Sequence, residues 1–67
     1  MIRVTVNGGL RQLEEPVTIA AFLEQRNLHQ RMVVVEHNLA IVPRDQYAEL
    51  ELQDGDVLEV VQMMAGG

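Results

Sequence analysis

The residues best suited to chemistry stand together at the end of the chain. Met63-Met64-Ala65-Gly66-Gly67 follows directly on a strand-like run from Val57 to Gln62. Glycine lacks a Cβ, so a partner can grip its backbone closely and thread it into a narrow site. That pattern suits a terminus whose carboxylate is itself the reacting group. A terminal carboxyl has a pKa of about 3.3–3.7, so at neutral pH it is an anion. Such an anion resists nucleophilic attack and needs activation before it can transfer anything. The competing reading is a frayed end, common where nothing ties a terminus down.

Elsewhere reactive side chains are few. The 67 residues include no Ser, Cys, Lys or Trp, which leaves Thr5, Thr18, Tyr47 and the carboxylates as nucleophiles. Without cysteine there is neither a disulfide nor a thiolate metal site. His29 and His37 are the only imidazoles, and a tetrahedral site needs three or four ligands, so no metal is expected. A chain this short has little room for an enclosed pocket of ~300 Å³, so an enzyme is not expected. Met63 and Met64 are candidate partner contacts, because methionine adapts to irregular surfaces. Arg44, after Pro43, is another, set against a solvated or locally paired arginine.

Charge narrows the partners. Five basic residues against ten acidic ones give −5. Phosphate backbones repel such a chain, so nucleic acid is not an expected partner, whereas a basic groove on another protein is. Glu49, Glu51, Asp54, Asp56 and Glu59 read mostly as a solvated face. The longest apolar run, Ile19 to Leu23, falls far short of the ~18 residues that cross a bilayer. The alternating opening residues are not a signal-peptide core. A soluble cytoplasmic protein with no membrane association is expected.

The elements that must position the terminus follow from periodicity. Ile2, Val4 and Val6 alternate with Arg3, Thr5 and Asn7, as in a strand with one buried face. Asn7-Gly8-Gly9 signals a hairpin turn, with Leu10 to Glu14 returning as an edge strand. Thr18 is placed to cap a helix whose stripe is Ile19, Phe22 and Leu23, with Asn27 as its stop. Met32 to His37 is β-branched on both faces and suits a central strand. Asn38-Leu39 reads as a turn into a short strand, Ala40-Ile41-Val42, ended by Pro43. Asp45 to Glu49 reads as a helical turn or connector, and Tyr47 as a ring on the sheet edge with a wet hydroxyl. After the Asp54-Gly55-Asp56 turn a last strand runs from Val57 to about Met63. The order implies α+β architecture, a mixed four- to five-stranded sheet with one helix across its inner face. If the first and last strands pair, the final residues leave from the middle of the sheet.

Three features together resemble one family. They are Asn38 with Ile41-Val42-Pro43-Arg44 and Tyr47, the Asp54-Gly55-Asp56 turn, and the closing Gly66-Gly67. The chain resembles the ThiS family of thiamine-biosynthesis sulfur carriers, in the ubiquitin-like β-grasp group, along its whole length. Two positions depart from the family pattern. Leu39 stands where a glycine is frequent and Tyr47 where a tryptophan is common. Leucine disfavours positive φ, so Asn38 rather than Leu39 is expected to take any left-handed position.

The resemblance implies a β-grasp body over 1–63 and a flexible tail over 64–67. It implies that a ubiquitin-activating-like adenylyltransferase, using ATP and magnesium, adenylates the Gly67 carboxylate while Ala65 and Gly66 thread into the site. A sulfur donor such as a cysteine desulfurase would then give a thiocarboxylate, whose sulfur passes to thiazole synthase. The protein itself would bind no cofactor and catalyse nothing. The same chemistry would suit a molybdopterin synthase small subunit or a ubiquitin-related modifier. A β-grasp binding module with an inert terminus is the reading from another class.

Overall fold

A computed structural model describes residues 1–63. The assignments for Met64, Ala65, Gly66 and Gly67 lie outside the described residues. Strands β1 (Ile2–Val6) and β2 (Gly9–Leu13) form an antiparallel hairpin in which Val6 faces Gly9. The turn between them has two residues, Asn7 at φ 50° and Gly8 at φ 83°. Positive φ at both central positions is the mirror-image turn whose twist matches that of paired strands.

Helix α1 (Ile19–Gln25) begins at Thr18, whose hydroxyl accepts from the Ala21 amide at 3.1 Å. It ends in the paired closing bonds of a Schellman motif. The Leu28 amide donates to Leu23 O at 2.9 Å and the Asn27 amide to Glu24 O at 3.0 Å, with Asn27 at φ 59°. Asparagine is the stop because it tolerates the left-handed conformation better than most residues with a side chain. Ile19, Phe22 and Leu23 are buried, as their spacing predicts.

A 3₁₀ turn, Gln30–Met32, delivers the chain to β3 (Val33–His37), one residue later than the β-branched run suggests. A second two-residue turn leads to β4 (Ala40–Ile41), and another 3₁₀ turn spans Arg44–Gln46. The last strand is β5 (Val57–Gln62). The sheet order is β2-β1-β5-β3-β4, with β1 and β5 parallel and the other neighbours antiparallel. This is the expected mixed sheet with one helix, and β5 is its middle strand.

The core lies between α1 and the inner face, around Val4, Phe22, Leu23, Val35, Leu52 and Leu58. Two assignments change. Tyr47 is 2% exposed and belongs to this core, not to the sheet edge, because its 3₁₀ turn is held against α1 by the Ala20 amide donating to Tyr47 O at 2.8 Å. Leu39 takes φ 74° beside Asn38 at φ 51°. The register His37↔Ala40 leaves only two residues for the turn, and it takes the mirror-image form in which both are left-handed, as at Asn7-Gly8. Among the described residues no helix is long and apolar enough to cross a membrane.

Candidate functional site

The strand that leads to the diglycine is tied on both flanks. Toward β1, the Thr5 amide donates to Asp56 O and the Asn7 amide to Leu58 O, each at 2.9 Å. Beyond Val6 the first strand turns away, and the Asn7 side chain continues the ladder in its place. Its Oδ1 accepts from the Val60 amide at 2.8 Å, and its Nδ2 donates to Val60 O at 3.1 Å. One carboxamide thus satisfies both main-chain groups of Val60, which two further residues of a continued β1 would have met.

Toward β3 the Asn38 amide donates to Val57 O at 2.8 Å, while its Oδ1 accepts from the Val57 amide at 2.9 Å. Among the described residues the last bond of this series joins the Met63 amide to Met32 O at 2.7 Å. Four residues, Met64 to Gly67, follow Met63 in the sequence.

A polar knot secures the start of β5. Asp56 Oδ2 lies 2.8 Å from His37 Nε2 and accepts from the Gln53 amide at 2.8 Å. Asp56 Oδ1 accepts from Asn38 Nδ2 at 3.2 Å. Burial pushes the Asp56 carboxyl up, but the bonds from Gln53, His37 and Asn38, with the charge of His37, outweigh it and hold it below its ordinary 3.8. Asp54 is also engaged, accepting from the Arg3 amide at 2.8 Å. Both carboxylates are turn fasteners, but only Asp56, its side chain 12% exposed, departs from the reading as a solvated face, while Asp54 is exposed as expected.

The outer face of the sheet is open. Met32 (39% exposed), Val34 (38%), Val61 (59%) and Met63 (44%) share this face beside the end of β5. The structure therefore brings Met63 together with the strand end. Arg44 lies apart, its Nε donating to Gln30 O at 3.1 Å, the local pairing weighed against a partner contact. His29 accepts from the Arg31 amide through Nδ1 and caps a 3₁₀ turn. Among the described residues no three of His, Asp and Glu gather closely enough to hold a metal ion.

The family model described as the ThiS family matches residues 4–67. The chain belongs to the ThiS family, the sulfur carriers of thiamine biosynthesis. A sulfur carrier protein ThiS of Bacillus subtilis is 40% identical over 50 residues, covering 75% of this chain and 76% of that one. A crystal structure of a thiamine biosynthesis protein, ThiS, from Geobacter metallireducens superimposes with a TM-score of 0.83 at 28% identity, covering 98% of this chain and 100% of that one. A protein of Paramagnetospirillum magneticum named thiazole synthase is 38% identical over 66 residues, which are 98% of this chain. The ThiS-family chain spans only 20% of that relative's length.

Sequence reasoning found the strand but missed what holds it. Asn7 was legible as a turn residue from Asn-Gly, yet its bond to Val60 spans 53 positions and leaves no local trace. The Asp56 partners were equally hidden, although an Asp-Gly-Asp turn is a place to look for a carboxylate that caps backbone amides.

Proposed function

We propose that the Gly67 carboxylate is the group that carries sulfur, with residues 1–63 as a rigid handle and 64–67 as the part that enters a partner's site. A ubiquitin-activating-like adenylyltransferase joins the carboxylate to AMP from ATP and magnesium, releasing pyrophosphate. The mixed anhydride is neutral at its carbonyl and has a good leaving group. A persulfide on a donor such as a cysteine desulfurase displaces AMP to give an acyl disulfide. A second thiol then attacks that disulfide to release the thiocarboxylate and leave a disulfide behind, and the thiocarboxylate passes its sulfur to thiazole synthase. The ThiS-family chain acts as carrier, and its partners supply the catalysis. The segment resembling this chain within a protein named thiazole synthase supports that partner.

The observation that carries the reading is the anchoring of β5, through Asn7 as far as Val60 on one flank and through Met32 as far as the Met63 amide on the other. Four further residues reach at most ~14 Å. That is enough for Gly67 to sit inside an active site while the handle stays outside. Ala65 and Gly66 thread the entry, where a larger side chain would not fit. Ordering four residues costs about 4–8 kcal/mol, and main-chain bonds in the partner's groove offset it. The open outer face at Met32, Val34, Val61 and Met63, with Met64 beyond, docks the handle. Cytoplasmic location fits partners that consume ATP.

The test is intact-mass analysis after incubation with ATP, a sulfur donor and the cognate adenylyltransferase. The wild-type chain is expected to exchange one oxygen for sulfur, and no mass change would overturn the carrier assignment. Gly67→Ala is expected to block adenylation with an unaltered thermal melt. Full ATP–pyrophosphate exchange by that variant would refute the threading.

A further inference from the structure

Beneath the β1–β2 hairpin, α1 and the sheet leave a groove of about 410 Å³, within the usual size of a binding cleft. Val6, Phe22, Leu28 and Val60 line it with apolar side chains, and Asn7, Arg11, Arg26 and Gln62 with polar ones. The Arg26 guanidinium lies 4.6 Å from the centre of the Phe22 ring, so stacking restrains it at the groove. Among the described residues no acidic side chain lines the groove. Among the described residues neither arginine is within ion-pair distance of a carboxylate. The adjoining cleft shares Leu28 and adds Arg31 and Arg44, with Glu24. Four of the five arginines of a chain with net charge −5 thus border two neighbouring clefts.

Gln62 lines the groove as well, one residue before the last anchored amide at Met63. A protein that receives the chain beyond Met63 must therefore pass beside it. We infer that this groove docks an extended, carboxylate-bearing segment of the protein that takes the tail, with an apolar side chain over Val6 and Leu28 and its carboxylates on Arg11 and Arg26. The inference rests on the tail-threading function proposed above. Elsewhere the negative surface repels an acidic segment, so the groove sets the orientation in which the partner approaches. Guanidinium forks suit this role because they bind carboxylates in two-point geometry.

The test measures dissociation constants of the full chain with its cognate adenylyltransferase and with its thiazole synthase by titration calorimetry without ATP. Arg11→Glu with Arg26→Glu is expected to weaken binding to at least one of them about tenfold or more, as loss of close charge pairs does. Arg11→Gln with Arg26→Gln, which removes charge without reversing it, is expected to give a smaller loss in the same complex. A thermal melt and an amide spectrum establish that each variant is folded. Unchanged affinity for both enzymes overturns the inference. A gain in affinity also overturns it, since the groove would then hold the chain's own terminal carboxylate. The same titration on a chain lacking Gly66 and Gly67 separates the two proposals. If deletion changes nothing while the arginine variants still bind weakly, threading fails and the groove stands.

Discussion

The two hairpins, Asn7-Gly8 and Asn38-Leu39, share one plan and differ in its cost. Each opens with an asparagine in the left-handed region, at φ 50° and 51°. Each asparagine donates its amide to β5 and accepts a β5 amide through its side chain. They grip that strand from opposite sides, at Val60 and at Val57. At the second position Gly8 adopts φ 83° freely, whereas Leu39 holds φ 74° with its side chain 92% exposed. Exposure gives Leu39 no packing reward, and a left-handed residue with a Cβ costs roughly 1–2 kcal/mol. The geometry therefore comes from the strand register and from Asn38, whose carboxamide also engages Asp56. Strain at the second turn persists because the knot of His37, Asn38 and Asp56 over-determines it.

The difference between the asparagines' partners can be broken by isosteric substitution. Asn38→Asp sets a second carboxylate against Asp56 in place of a donor at 3.2 Å. About 3 kcal/mol of stability should be lost in urea denaturation at neutral pH, since a charged group is left badly paired. Asn7→Asp faces only the neutral Val60 carbonyl, now acceptor against acceptor. Its expected cost is about 1–2 kcal/mol, with faster hydrogen exchange at Val60 and β5 beyond it. Equal losses for the two substitutions would mean that Asp56 adds nothing to the second hairpin.

Acid should act on the second hairpin alone. The Asp56 carboxyl titrates below its ordinary value in the folded chain, so it binds its proton less readily there than when unfolded. Its contribution is therefore present above about 3.8 and lost as pH falls below that value through the folded pKa. Asp56→Asn is expected to flatten the fall in stability over that range, read from melts at stepped pH. A slope identical to the wild type would assign the acid sensitivity to other carboxylates. The smallest effect is at the strained position. Leu39→Gly relieves the left-handed strain but adds unfolded-state freedom, for a net gain of about 0.5 kcal/mol. A loss of stability there would show that Leu39 is not strained.

Much of the fold was legible because its determinants are local. The alternation of Ile2, Val4 and Val6, the Thr18 cap, the Phe22 stripe and the Asn27 stop each act within a few residues. Asn38 took the left-handed position expected of it, and the error at Leu39 came from weighing one residue's preference above a turn length set by strand pairing. Tyr47 was misplaced for a similar reason. Its burial depends on α1 crossing its 3₁₀ turn, a contact between segments far apart in the chain.

By itself the sequence determined the alternation that makes each strand, the caps that bound the helix, the −5 charge and the diglycine pattern of a sulfur carrier. Only the tertiary structure decided that β5 lies between β1 and β3, that Asn7 completes its ladder, and that Arg11 and Arg26 meet at one groove. The reason is range. Periodicity and capping act over one or two turns of chain, whereas parallel pairing and side-chain bonds across 53 positions exist only once the core has closed.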